Sequence, residues 1–131
     1  MANLAKRTPQ EVFDHVCYRM AKQGFRQSVV TSSWMGKSCA YRSEDGLACA
    51  AGCCVADDEF VAWRMEGNTW TVLVRKHIVP FIHSRLIRSL QRAHDGGKTP
   101  EAMRAALRRR AKTFGLSDTR LRAYAALFAA A

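Results

Sequence analysis

At 131 residues the chain has the length of one domain, 1–131, large enough to bury a core without a metal or disulfide staple. No stretch approaches the roughly 18–20 consecutive apolar residues of a membrane span, and MANLAKRTPQEV has no apolar run behind its basic residues, so a soluble, cytoplasmic protein with no membrane partner is expected. The formal net charge of +10 is carried entirely by residues 75–131, with thirteen Lys/Arg against three Asp/Glu, while residues 1–74 balance eight against eight; such a field bears on partners rather than on fold.

Thr8-Pro9-Gln10-Glu11 reads as a helix start, with Thr8 as cap, Pro9 in the first turn and Glu11 at the reciprocal capping-box position. Phe13, Val16, Cys17 and Met20 follow at helical spacing, and Gly24-Phe25 supplies a left-handed stop. Residues 26–46 change character. Val29-Val30-Thr31, Ser32-Ser33, a break at Gly36-Lys37, Cys39-Ala40-Tyr41-Arg42 and the turn Ser43-Glu44-Asp45-Gly46 read as short strands and a hairpin.

The small, apolar run LACAAGCCV from Leu47 fits a short buried helix or a strand leading into one. Asp57 is placed to cap a helix over Asp58–Glu66 that Gly67 ends. Thr69–Arg75, TWTVLVR, has the β-branched and aromatic content of a strand, with a helix entering Lys76-His77 as the alternative.

Residues 75–131 read as a basic helical part. Ile82, Leu86, Leu90 and Ala93 line one side of a helix, Arg85, Arg88 and Arg92 the other, and Asp95-Gly96-Gly97 stops it. Thr99-Pro100-Glu101 opens the next, with Met103, Leu107 and Phe114 inward and Arg104, Arg108 and Lys112 outward; Arg110 falls on the apolar side and calls for snorkelling, an interface, or an acid such as Glu66 or the Asp57/Asp58/Glu59 group. A last helix from Ser117 carries Leu121, Tyr124, Ala125 and Phe128 on one face. The expected fold class is α+β, a helix-rich single domain with a small antiparallel β-hairpin or sheet.

Four of the five cysteines fall between Cys39 and Cys54, and their odd number points to free thiols in a reducing compartment. Three readings follow. Cys49-x3-Cys53 with Cys39 supplies three zinc ligands, but the fourth is missing nearby, since His15, His77, His83 and His94 are distant in sequence. A nucleophilic Cys49 with His94 as base and Asp95 nearby gives a hydrolase or transferase, although helical neighbours diverge by about 100° and Asp95 then orients His94 poorly. The favoured reading is packing: among Ala48, Ala50, Ala51 and Gly52 the thiols are small hydrophobes in a crowded corner, with no metal and no cofactor.

Cys39-x-Tyr41-Arg42, Gly46, Cys49-Ala50-x-Gly52, Asp58-Glu59-Phe60, Glu66-Gly67 and Leu90-Gln91-x-x-His94-Asp95 resemble a family of small phage and prophage proteins without an assigned activity. The likeness covers about 39–67 and 86–95. It departs from the family at Cys53 and Cys54, where aliphatic residues are usual, and at Ala56, where proline is common; aliphatic counterparts favour packing for those two thiols. The resemblance implies a phage accessory origin and a host-cell cytoplasmic location.

Arg85, Arg88 and Arg92, then Arg104, Arg108 and Lys112, then Arg120 and Arg122 with Arg109 nearby, form three basic faces suited to phosphate contacts. No helix-turn-helix spacing, zinc-finger pattern or aromatic platform for stacked bases accompanies them. The expected function is therefore binding rather than catalysis, with nucleic acid or a host nucleoprotein as partner. Inhibition of a host defence, anti-CRISPR-like in manner, suits the phage resemblance, and a simple nucleic-acid binder or the Cys49/His94 enzyme are the alternatives.

Overall fold

Helix α1, Pro9–Lys22, begins where its capping box closes: Thr8 Oγ1 accepts from Glu11 N–H at 3.1 Å and Glu11 Oε1 accepts from Thr8 N–H at 3.0 Å. The computed structural model, which describes residues 1–32, 34 and 36–129, continues through a two-stranded antiparallel sheet of β1, Val29–Ser32, and β2, Gly36–Cys39, in the register Val29↔Cys39. Five more helices follow: α2, Ala62–Met65; α3, Trp70–Arg75; α4, Ser84–Gly96; α5, Pro100–Thr113; and α6, Thr119–Ala129. This is a helix-rich α+β fold, and no helix among the described residues is long and apolar enough to cross a membrane.

The α1 stripe of Phe13, Val16, Cys17 and Met20 is fully buried, and α1 packs against α6 and α4 while α4 also carries α5 and α3. Leu86, Ile87 and Leu90 from α4, Met103 and Leu107 from α5, and Leu121 from α6 complete the core. Gln10 locks the α5–α6 turn to α1: its amide donates to Ser117 O at 2.9 Å and accepts from Ser117 N–H at 2.8 Å. The stop after α1 falls as the sequence indicates, with Gly24 and Phe25 at φ 71° and 53° and Phe25 N–H returning to Met20 O.

Several elements differ from their sequence reading. Thr69–Arg75 is helical, because Thr69 Oγ1 caps the Val72 amide and Trp70 and Leu73, three apart, both enter the core; that packing outweighs the strand preference of its β-branched residues. The helix expected over Asp58–Glu66 shrinks to the single turn of α2, since Asp57 does not cap it but pairs with Arg42, Nη1 to Oδ1 at 2.6 Å. Ile82 is exposed ahead of α4, whose start follows His83 at φ 71°. Gly36 and Lys37 belong to β2 instead of a break, β2 ends at Cys39, and beyond the hairpin Arg42 and Ala48 form an isolated bridge around the expected turn at Ser43–Gly46. Ser33, part of the expected strand pair, lies outside the described residues.

From Leu47 to Val55 every residue is buried, yet regular structure is limited to one 3-10 turn, Gly52–Cys54. Polar side chains hold this segment instead. The Glu66 carboxylate accepts from the Tyr41 and Arg42 amides at 2.8 and 3.1 Å. The Arg42 guanidinium donates to Gly52 O and Val55 O and lies 5.0 Å over the Phe60 ring. Gly52 has no room for a side chain, since a Cβ would collide with the Tyr41 carbonyl oxygen and stand 2.8 Å from its carbon. Gly52→Ala is therefore expected to cost about 1–3 kcal/mol or more in urea denaturation, and a variant with parental stability would show that this corner yields.

Candidate functional site

The chemistry-bearing residues that the fold gathers lie where the hairpin meets the C-terminal end of α4. Gln27 donates to the last carbonyls of α4, His94 O at 3.0 Å, which also accepts from Gly97 N–H at 3.1 Å, and Asp95 O at 2.8 Å. Ser28 N–H donates to His94 Nε2 at 2.9 Å, with both residues 0 % exposed. A ring nitrogen that accepts carries no proton, so the imidazole proton sits on Nδ1, 2.9 Å from Asp95 Oδ1. Asp95 Oδ1 also accepts from Gln91 Nε2 at 2.8 Å, Gln91 Oε1 takes the Ala51 amide, and the Cys39 thiol completes the carboxylate's hydrogen bonds.

Asp95 thus orients His94 well, contrary to the expectation from helical divergence: Asp95 is in the last turn of α4, and its short side chain bends back to the ring of its neighbour. Burial alone pushes the Asp95 carboxyl up, but hydrogen bonds from His94, Cys39 and Gln91 outweigh it and hold the carboxyl below its ordinary range. The Cys39 thiol moves the opposite way, pushed up to about 12 by desolvation and by the adjacent Asp95 charge.

Cys39, His94 and Asp95 offer ligand atoms within 4.8 Å of one another. The expected trio Cys39, Cys49 and Cys53 is not brought together as such a group among the described residues. In the observed arrangement His94 presents an N–H to the group, and its lone pair is held by Ser28. Metallation at Nδ1 of a neutral ring would put a proton on Nε2 facing the Ser28 N–H, donor against donor, so the cluster does not fit a cation without breaking the junction. Nor does it activate a thiol. The carboxylate stands between thiol and imidazole, whereas nucleophilic chemistry needs the imidazole to accept the thiol proton. Cys49, the expected nucleophile, is 1 % exposed, its Sγ accepts from Gly52 N–H at 3.2 Å, and burial pushes its thiol well up. Cys53 and Cys54 are buried as well and both donate to Ala50 O, in the packing role expected of them.

The basic residues occupy a different part of the molecule's chemistry. Arg85, Arg88 and Arg92 are exposed on α4, Arg104, Arg108, Arg109 and Lys112 on α5, and Arg120 and Arg122 on α6. Arg104, Arg108 and Arg122 line an open cleft of about 380 Å³ between α5 and α6 together with Leu121, Ala125, Ala126 and Ala129. Asp118 accepts from Arg108 Nε and Arg122 Nε, each at 3.3 Å; Arg104 has no acid partner among the described residues. Arg110 is half-buried with its Nε unpartnered among the described residues, and neither Glu66 nor Asp57 is its acid, since the first holds the Tyr41 and Arg42 amides and the second pairs with Arg42. Arg42, Glu66, Gln91 and His94 act here as internal ties, and Gly52 permits the close approach they need.

Asp95→Asn, which removes the charge beside Cys39, is expected to accelerate alkylation of that exposed thiol by iodoacetamide at mildly alkaline pH; an unchanged rate would show that desolvation alone holds the thiol inert. Because the folded carboxyl lies below its unfolded value, its contribution to stability is complete above the ordinary carboxyl range and lost as pH falls through the lowered one. The stability advantage of the parent over Asp95→Asn is accordingly expected to shrink on acidification in urea titrations. His94→Leu, which strands the Ser28 amide, is expected to cost about 1–3 kcal/mol in the same assay. Family models, curated proteins and solved structures give no match to this chain.

Proposed function

We propose that the protein acts by binding, and that its ligand is the phosphate backbone of nucleic acid, free or within a host nucleoprotein. The observation that carries this reading is the convergence of Arg104, Arg108 and Arg122 on one cleft with a single carboxylate, Asp118, set against them. Guanidinium forks match phosphate oxygens, and three of them on one depression concentrate the positive potential. The pairs that Asp118 makes are largely exposed, and such pairs are worth little, so an entering phosphodiester displaces them at small cost. The exposed arginines of α4 and the remaining basic residues of α5 and α6 extend the field that draws a polyanion in.

The phage resemblance gives this binding a setting, an accessory protein that occludes a host defence nucleoprotein in an anti-CRISPR-like manner. A stoichiometric complex from host lysate that survives nuclease treatment is the mark of that setting; loss of the complex on nuclease treatment marks a simple nucleic-acid binder.

Affinity for DNA, followed by fluorescence anisotropy, is expected to fall by orders of magnitude between about 50 and 200 mM salt. Replacing Arg104, Arg108 and Arg122 together by Ala should lower the slope of log K against log salt by about one for each phosphate contact removed. A parental affinity indifferent to salt, or an unchanged slope in the triple variant, refutes the reading.

A further inference from the structure

In the loop 76–83, between α3 and α4, Phe81 is 79 % and its neighbour Ile82 47 % exposed. Val74, Ile78, Val79 and Pro80 line an open depression beside Phe81, so the apolar surface is continuous rather than a pair of scattered side chains. The backbone beneath it is held. Val79 is buried, Ile78 N–H donates to Leu73 O at 2.9 Å, and Phe81 O accepts from the Ser84 amide at 3.1 Å and from the Ser84 hydroxyl. His77 and His83 bracket the loop at φ 57° and 71°, a left-handed conformation that is strained for a non-glycine residue. The fold thus carries strain around a loop that leaves two apolar side chains in solvent. Around them the charge is of one sign. Arg75, Lys76, Arg85 and Arg88 are exposed within six residues of Phe81 or Ile82, and none makes an ion pair among the described residues. From Gly67 to His94 the chain has no acid. Of the carboxylates that bound this stretch, Glu66 is taken by the Tyr41 and Arg42 amides, and Asp95 lies eleven residues along α4 from Ser84, about 16 Å away. Helix α4 also begins without a side-chain cap or an acid in its first turn, so the positive end of its dipole adds to this collar.

We infer that this loop is a wedge for duplex DNA: Phe81 and Ile82 enter between two neighbouring base pairs while Arg75, Lys76, Arg85 and Arg88 hold the phosphates on either side. This rests on the proposed binding of nucleic acid and adds a contact inside the base stack, which the arginine cleft does not supply. Charge complementarity selects the occupant. A second copy meeting through the same loop would set cation against cation. A bilayer would receive fewer apolar carbons from Phe81 and Ile82 than from one myristoyl chain, which by itself gives only marginal anchoring. A duplex offers phosphates to the collar and, between base steps, the apolar slot that Phe, Ile and Pro side chains fill in minor-groove wedges. Ile82 and Pro80 have no π-face, so this surface suits an opened base step better than stacking on a lone base. Because the loop is already ordered, binding loses little backbone entropy on top of the unstacking.

The test is a labelled DNA duplex read two ways, by anisotropy for affinity and by energy transfer between dyes at its two ends for bending. The proteins compared are the parent, Phe81→Ala, Phe81→Leu and the triple Ala variant of Arg104, Arg108 and Arg122. The parent is expected to shorten the end-to-end distance. Phe81→Ala is expected to abolish the bend and weaken duplex binding about tenfold, with the salt slope unchanged and Phe81→Leu keeping most of the bend. Circular dichroism checks the fold, which an exposed side chain leaves intact. Parental bend and affinity in Phe81→Ala overturn the inference and leave the cleft reading standing. An unchanged salt slope in the triple variant, with the bend still lost on Phe81→Ala, refutes the cleft and supports the wedge. If Phe81→Ala instead loses binding to phosphatidylserine vesicles, or a concentration-dependent dimer in sedimentation, with duplex binding intact, a bilayer or a second copy occupies the loop and the wedge is overturned. A parent that binds the duplex and leaves it straight also overturns it, and a parent that does not bind removes both readings.

Discussion

One buried hydrogen bond, from the Ser28 amide to His94 Nε2, is the joint on which the two parts of this molecule depend. A backbone N–H shut away from water must find an acceptor. Supplying it from an imidazole forces the ring into the Nδ1–H tautomer, which aims the proton at Asp95 and makes that carboxylate the meeting point of α4, β2 and, through Gln91, the buried 47–55 segment. A single donor–acceptor choice thus helps set the position of the hairpin and the orientation of His94, and it places the Asp95 charge beside the Cys39 thiol. The same choice commits the lone pairs and protons of a cluster that has the composition of a metal or nucleophile site.

The segment between the hairpin and α3 extends this logic. It is rich in Ala, Gly and Cys, side chains too small to fill space by themselves, and most of its backbone polar groups lack the repeating partners of a helix or sheet. Arg42 and Glu66 within the segment and Gln91 from α4 substitute for that repetition, reaching across to satisfy its amides and carbonyls. Close approach is the condition. Gly52 lies against the Tyr41 carbonyl, and Gly97 against Met103 where α4 turns into α5, so the backbone comes near enough for one long side chain to serve several groups. The residues most suggestive of chemistry in this chain are consumed in holding it together.

How far the fold could be read from the residues follows from where the information lies. The α1 capping box, the Gly24 stop and most of the stripes of α4 to α6 are local signals, and they appear as read, with Ile82 the exception. Thr69–Arg75 was ambiguous because β-branched content favours a strand, while the decisive facts, a Thr69 cap and a core to receive Trp70 and Leu73, are partly tertiary. The Ser28–His94–Asp95–Cys39 chain joins residues up to 67 positions apart in sequence, and no spacing rule reaches that far. The basic faces were legible at residue level, since exposure of arginines on amphipathic helices follows from periodicity, but the cleft that collects Arg104, Arg108 and Arg122 depends on the angle between α5 and α6.

What separates the arginines of the two parts is the use the fold makes of them. In the first part Arg7, Arg19, Arg26 and Arg42 each donate to a backbone carbonyl, of Ala2, Gly46, Gln23 and Val55 respectively, so part of each guanidinium's donor set ties the fold together. In α4 to α6 the recorded arginine hydrogen bonds among the described residues all go to the one carboxylate of Asp118. Cations gathered on adjacent helices repel one another, and the fold gains little internal bonding in return. A surface of that kind lowers its free energy most by meeting an anion that supplies many acceptors at once. A polyphosphate backbone is such an anion, releasing its own counterions as it binds, and an isolated carboxylate such as Asp118 is a weak substitute for it.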